Sequence, residues 1–167
     1  WRGDGTWVAP AGGITESDQW RLTVDYTDSA EITANLERND SLGFAVQGSG
    51  MTESSGEFTF PSTGYWYIEI YSSFMFNSGT STYVMNHIIT TLNDFVGQSE
   101  VTSGSTVISA GLSGTHTSSS SSFILDVTDT ANVKCKFSTQ VQNSGVITNG
   151  STSENVTYMT FIRLGDT

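Results

Sequence analysis

Two histidines, one cysteine and seventeen carboxylates are the chemically versatile side chains in this 167-residue sequence. A Ser-His-Asp hydrolase would need a histidine beside an activated serine, and neither His87 nor His116 sits near a G-x-S-x-G elbow. Met85 and Ile89 flank His87 in a strand-like run, so its role reads as structural. His116 lies in Gly114-Thr115-His116-Thr117 beside a serine run, where a mobile loop would let it touch a ligand. Glycoside cleavage would need two carboxylates at a defined separation. Asp25, Asp28, Glu31, Glu37, Asp40 and Glu53 are scattered through polar stretches, and no spacing selects a pair. Calcium suits clustered acidic loops better, from Asp25, Asp28 and Glu31 or from Asp126 and Asp129, but the spaced acidic loop of an EF-hand is absent. The expectation is therefore no catalytic residue, no enzyme activity and no cofactor, with calcium the one metal entertained and solvated loops the plainer account.

Other short motifs are weaker. Cys135 is the only cysteine, so no internal disulfide forms, and its place between Val133 and Phe137 marks a small core residue. Arg2-Gly3-Asp4 spells an integrin-recognition triplet of the kind that arises by chance in glycine-rich turns. Asn39, Asn149 and Asn155 begin formal glycosylation sequons, which matter only in a eukaryotic secretory pathway.

The net charge of -11 repels phosphate backbones and anionic lipid, which argues against nucleic-acid binding and polybasic membrane docking. Cations, carbohydrate and other proteins remain as partners. No apolar run approaches the roughly 20 residues that would insert in a bilayer. The chain opens on Trp1 and not Met, as a processed chain or the C-terminal part of a longer one would.

The elements that must carry these residues are strands. Aromatic, Thr and Val residues are plentiful, and Gly, Ser, Thr and Asn leave no room for a long amphipathic helix. Residues 1–18 read as a linker with Trp1 and Trp7 as anchors, and 19–167 as one all-β domain. Strands are expected around Trp20 to Val24, Ile32 to Leu36 and Phe44 to Val46. In Glu57 to Phe76, Pro61 and Gly64 bracket a turn between a short strand and a long one. Trp66, Ile68, Ile70, Ser72, Phe74 and Phe76 share one side of the long strand, and Tyr65, Tyr67, Glu69 and Tyr71 share the other. A wet face does not need three tyrosines, so both sides are expected to be covered, the second by another subunit. Tyr83 to Leu92 is a further strand, followed by a turn region from Gln98 to Gly104 and a segment from Thr106 to Leu112. The serines from Ser118 to Ser122 read as a loop leading into Phe123, Leu125 and Val127. Val133 to Phe137 and Thr157 to Leu164 complete the set. Short strands separated by glycine-rich turns predict a sandwich or jelly roll.

These residues resemble the C1q/TNF-like superfamily. Gly56-Glu57-Phe58-Thr59-Phe60-Pro61 followed by Gly64-Tyr65-Trp66-Tyr67-Ile68 is similar to its G-x-F-x-x-P…G-x-Y-x-F hairpin. Leu125-x-Val127 and Val133-x-Cys135 are similar to a later strand pair, although Thr130-Ala131 stands where Gly-Asp is usual. The resemblance implies a two-sheet jelly roll of about ten strands, assembled as a homotrimer. It also implies that Tyr65, Tyr67, Glu69 and Tyr71 face the threefold axis. Three Glu69 carboxylates near an axis repel, and the expectation is that each lies off-axis and pairs with a neighbour's Arg or Lys. Gly3 to Gly13 (GDGTWVAPAGG) looks like the junctions that precede C-terminal domains in bacteriophage tail fibres. The resulting expectation is a trimeric, non-enzymatic head of a virion appendage, partnered by other virion proteins and a host-surface glycan or protein. Thr80, Ser81, Thr82, Thr115, His116 and Thr117 are the candidate contact loops. The alternatives are a structural decoration protein of capsid or fibre, and a secreted C1q-like binding module.

Overall fold

A computed structural model describes residues 13–109 and 111–167, and among these the regular structure is thirteen strands in two sheets. One sheet, called the aromatic sheet below, is built on the long strand β7 (Gly64–Phe76). β10 (Thr115–Val127) flanks it on one side and β13 (Tyr158–Gly165) on the other. β1 (Ser17–Leu22) and β4 (Leu36–Arg38) continue the sheet beyond β13, while β2 (Tyr26–Thr27) and β12 (Val146–Thr148) extend it beside the Phe76 end of β7. The facing sheet runs β5 (Thr52–Ser54), β6 (Glu57–Thr59), β11 (Lys134–Val141), β8 (Tyr83–Thr91), β9 (Ser99–Val107), with β3 (Ala30–Glu31) added on β11. The two-sheet all-β sandwich is as expected, with thirteen strands in place of about ten. The short β2, β3 and β12 account for the extra ones.

The short strand, turn and long strand of the expected hairpin are β6 and β7, but they lie in opposite sheets and do not pair, so the turn at Pro61 to Gly64 crosses the sandwich. Trp66, Ile68, Ile70, Phe74 and Phe76 are all buried between the sheets. Phe58, Phe137 and Phe161 close on one another with ring centres 5.0 to 5.9 Å apart, a spacing at which edge-on aromatic contacts are favourable. Cys135 lies in this cluster, and burial pushes its thiol up, so it stays protonated. A second apolar cluster, Phe74, Phe76, Val84, Ile108, Val141 and Val146, fills the other end of the sandwich. Polar groups stand between the two clusters. Asn86 donates to the Ser119 carbonyl at 2.7 Å, and Tyr26, Thr139 and Thr148 share their hydroxyls.

Several expected loops are strands. The region from Gln98 to Gly104 is mostly β9, and the serine run is the middle of β10, paired with β7 from Thr115↔Phe76 to Val127↔Gly64. Thr115, His116 and Thr117 are therefore strand residues and not a contact loop. Small side chains are required here because the edges of the two sheets nearly touch. A Cβ on Gly104 of β9 would stand 2.1 Å from the Ser120 carbonyl oxygen. Ladder pairing with a long aromatic strand outweighs the weak strand preference of serine. Phe44 to Val46 forms no strand; its loop pairs with β1 in the ladder sense only at the isolated bridge between Ser17 and Gln47. Val24 lies beyond the end of β1 and is half-exposed, while Ile32 is buried just after β3.

Trp1, Trp7 and the Arg-Gly-Asp triplet lie outside the described residues. Of the expected linker, Ser17 and Asp18 are the first residues of β1, and the Glu16 carbonyl accepts from the Arg163 amide. Arg21 locks this corner. Its guanidinium is fully buried on the outward side of β1, held by Glu37, Asp40, Ser41 and the Thr152 carbonyl. Burial alone would lower its pKa, but the two carboxylates outweigh that and raise it.

Candidate functional site

Because β10, β7, β13 and β1 are in register, the outward side of the aromatic sheet is a set of cross-strand rows. One row runs Ser17, Ile162, Tyr67, Ile124, and another runs Arg21, Tyr158, Tyr71, Ser120. Between them lies a polar row of Gln19, Thr160, Glu69 and Ser122. Tyr65, Tyr67, Glu69 and Tyr71 do share one side, opposite Trp66, Ile68 and Ile70, as strand alternation requires. The inward side is dry, whereas Tyr65 is 43% and Ile124 57% exposed. Tyr67, Glu69, Tyr71, Tyr158 and Ile162 are half-buried by one another. Tyr71 and Tyr158 stack with ring centres 5.3 Å apart. Burial, then the Glu69 carboxylate and the neighbouring tyrosines, holds the Tyr158 phenol above its usual range.

Tyr158, Ile162 and Ile124 belong to this surface and were not singled out from sequence. The two-faced character of Thr157 to Leu164 was visible, but only the register brings Tyr158 beside Tyr71 and Ile162 beside Tyr67.

Glu69 meets no cation among the described residues. All five arginines and lysines of the described residues already face carboxylates: Arg21 with Glu37 and Asp40, Arg38 with Asp18, Lys134 with Asp94, Lys136 with Glu31, and Arg163 with Asp166.

The remaining candidates divide cleanly. Thr80 and Thr82 are exposed in the loop after β7, at the end away from Gly165, which pairs with Tyr65. Ser81 between them is buried and donates to the Asn143 carbonyl at 2.7 Å, so it is a loop anchor and not a contact residue. His116 is exposed in β10 opposite Met75. His87 is buried in β8 with Nδ1 3.5 Å from Glu100. Four of the five acidic residues entertained for calcium have partners within the chain. Asp25 accepts from the Gly150 amide, Asp28 from Gly145 and Asp129 from Ala131, and Glu31 pairs with Lys136. The side-chain bond from Asn132 and the Ala131 amide hold the Asp129 carboxyl below its usual range. Among the described residues no three His, Cys, Asp or Glu side chains converge as a metal site would need.

No family model matches the sequence, and no curated protein matches it. Solved structures do match the shape. Eiger TNF from S. frugiperda superposes with a TM-score of 0.66 at 10% identity, over 93% of this chain and 96% of that one. A murine APRIL structure gives 0.60 at 13%, over 89% and 98%. The globular domain of zebrafish complement 1qA protein gives 0.58 at 10%, over 92% and 99%. At such identities the likeness shows the fold alone, and that fold is the C1q/TNF-like jelly roll.

Proposed function

We propose that this domain is a non-enzymatic, homotrimeric binding head, in which the outward side of the aromatic sheet packs against two further copies of the chain. The observation that carries this is the pair of aromatic and aliphatic rows around Tyr67, Ile162, Tyr71 and Tyr158. On an acidic chain such a patch is an aggregation hazard for a monomer and a natural contact in a closed ring. The C1q/TNF-like fold supports the same reading.

In this reading the head sits at the end of a fibre or virion appendage, where it contacts a host-surface glycan or protein. The support for that placement is the likeness of Gly3 to Gly13 to bacteriophage junction segments. Weak contacts repeated three times give useful avidity. Thr80 and Thr82 lie roughly 40 Å from the Tyr65 end of the thirteen-residue β7, which suits a tip displayed away from a shaft.

Light scattering on the isolated domain tests the assembly. A mass three times the 18.0 kDa of the chain is expected, and a monomer at all concentrations would end the reading. Binding of the trimer to host cells, lost on changing Thr80 and Thr82 to Asp, tests attachment. A trimer that binds no cell favours a decoration protein with purely structural contacts.

A further inference from the structure

The loop after β8 holds a conformation that its residues do not favour. Asp94 and Phe95 are consecutive left-handed residues, at φ 48° and 58°, and a bulky aromatic rarely sits there. Such strain persists only where the surroundings over-determine it, and it gathers at binding sites. Here Thr91 Oγ1 accepts from the Asn93 and Phe95 amides and donates to the Gly97 carbonyl. The Asp94 amide donates to the Asn132 carbonyl, Lys134 pairs with the Asp94 side chain, and Lys136 lies over the Phe95 ring. The result is that Leu92 and Val96, 71% and 74% exposed, stand on the lip of a cleft of about 460 Å³ whose floor is Val101, Phe123 and Leu125.

A matching projection exists on the same chain. Leu42 is fully exposed on the loop after β4, and the neighbouring Phe44 lines a groove with Gln19, Thr160 and Ile162 beside the aromatic sheet. The cross-strand row Asp18, Phe161, Ile68, Phe123 runs from the groove beside Phe44 to the cleft floor, so the loop that carries Leu42 and the cleft lie at opposite edges of one sheet. Neither carries charge. No ionisable residue lines the cleft, and none occurs from Ser41 to Gly50. On a chain of net charge -11, two copies approach most readily through neutral patches.

We infer that Leu42 of one copy seats in the Leu92 and Val96 cleft of the next, so that three such contacts close the ring. This rests on the trimeric reading and names the contact that gives it direction. A projection and a cleft on opposite edges make a head-to-tail interface, which closes into a ring where successive copies are related by a third of a turn. The aromatic rows lie between them, so the contact continues the same covered surface.

The test is the double variant Leu42→Cys with Val96→Cys in the full chain, oxidised mildly and run without reductant. Cys135 is buried and stays protonated, so it does not compete. Covalent trimers are expected, since each copy supplies both partners of different links. Ladders that extend beyond three copies would overturn the ring. A wild-type trimer whose double variant forms no link would overturn this contact and leave the trimer standing. A wild-type monomer would remove both together. As a second measure, Leu42→Asp is expected to raise the trimer dissociation constant about tenfold or more, as loss of an interface anchor does. Melting of the monomer should not move, because Leu42 has no packing to lose. An unchanged dissociation constant would count against the contact.

Discussion

The two sides of β7 are made from the same thirteen residues and finished to different degrees. On the inward side, Trp66, Ile68, Ile70, Phe74 and Phe76 are at most 2% exposed, closed into the core between the two sheets. On the outward side, Tyr65, Tyr67, Tyr71 and Met75 are only partly covered, Tyr71 by the stacked ring of Tyr158. Hydrocarbon serves the first environment. Tyrosine serves the second, because its ring gains from burial while its hydroxyl tolerates water until a partner arrives. A surface that is apolar in area but amphipathic in kind is suited to two states, free and assembled.

The sharpest way to separate the sides is to damage each in turn. Phe161→Ala removes the ring that touches Phe58, Phe60 and Phe137, and it should cost about 3–5 kcal/mol of folding stability. Denaturant titration of the domain measures it, and a cost below about 1 kcal/mol would mean that the inward core is not close-packed. Tyr67→Asp on the outward side should leave folding stability nearly unchanged while weakening the trimer by about 2 kcal/mol or more at each contact. Sedimentation across a concentration series reads that loss. If Tyr67→Asp unfolds the domain instead, the outward side belongs to the core of the single chain and the contrast fails.

Alkaline pH sharpens the comparison through two phenols. Burial raises the pKa of Tyr26 between the sheets, only partly offset by its bonds to Thr139 and Thr148, and that of Tyr158 is raised on the outward side. A phenol held neutral in the fold contributes stability that is fully present below its unfolded pKa of about 10. That contribution is lost as pH rises through the higher folded value. Stability should therefore hold to about pH 10 and then decline. Tyr26→Phe should remove more of the decline than Tyr158→Phe in the monomer, since Tyr26 is the more deeply buried. Equal effects would place both phenols in similar surroundings.

This contrast also explains what the sequence discloses. The turn at Pro61 to Gly64 and the alternation of Tyr65 to Phe76 are local, so β6 and β7 can be read residue by residue. β9 and β10 are spelled in Ser, Thr and Gly, which describe a loop equally well. Their strand state comes from β7 alongside β10 and from the near contact of Gly104 with Ser120, neither of which is local. Half of the outward surface shares that limit. Tyr65, Tyr67, Glu69 and Tyr71 are legible because they lie on one strand, while Tyr158 and Ile162 join them only through a register set across the β13 ladder. Leu42, Leu92 and Val96 carry no periodicity at all, and only their exposure in the folded chain marks them.

Glu69 gives the smallest effect and the finest test. It sits in the polar row between the two aromatic rows, and every described cation already has a carboxylate partner in its own chain, which leaves no described cation unpaired to meet Glu69 across an interface. In a trimer that gathers this side around an axis, three carboxylates then approach without compensation. Glu69→Gln keeps the shape and a hydrogen-bonding head and removes the repulsion, so it should tighten the assembly by about 1 kcal/mol and lessen its dependence on salt. Sedimentation at low and high ionic strength separates the two variants. A looser assembly would mean that the carboxylate accepts hydrogen bonds from tyrosine hydroxyls of a neighbouring copy. The polar row would then be a specific link, and the aromatic rows would no longer suffice to explain why this side is built as it is.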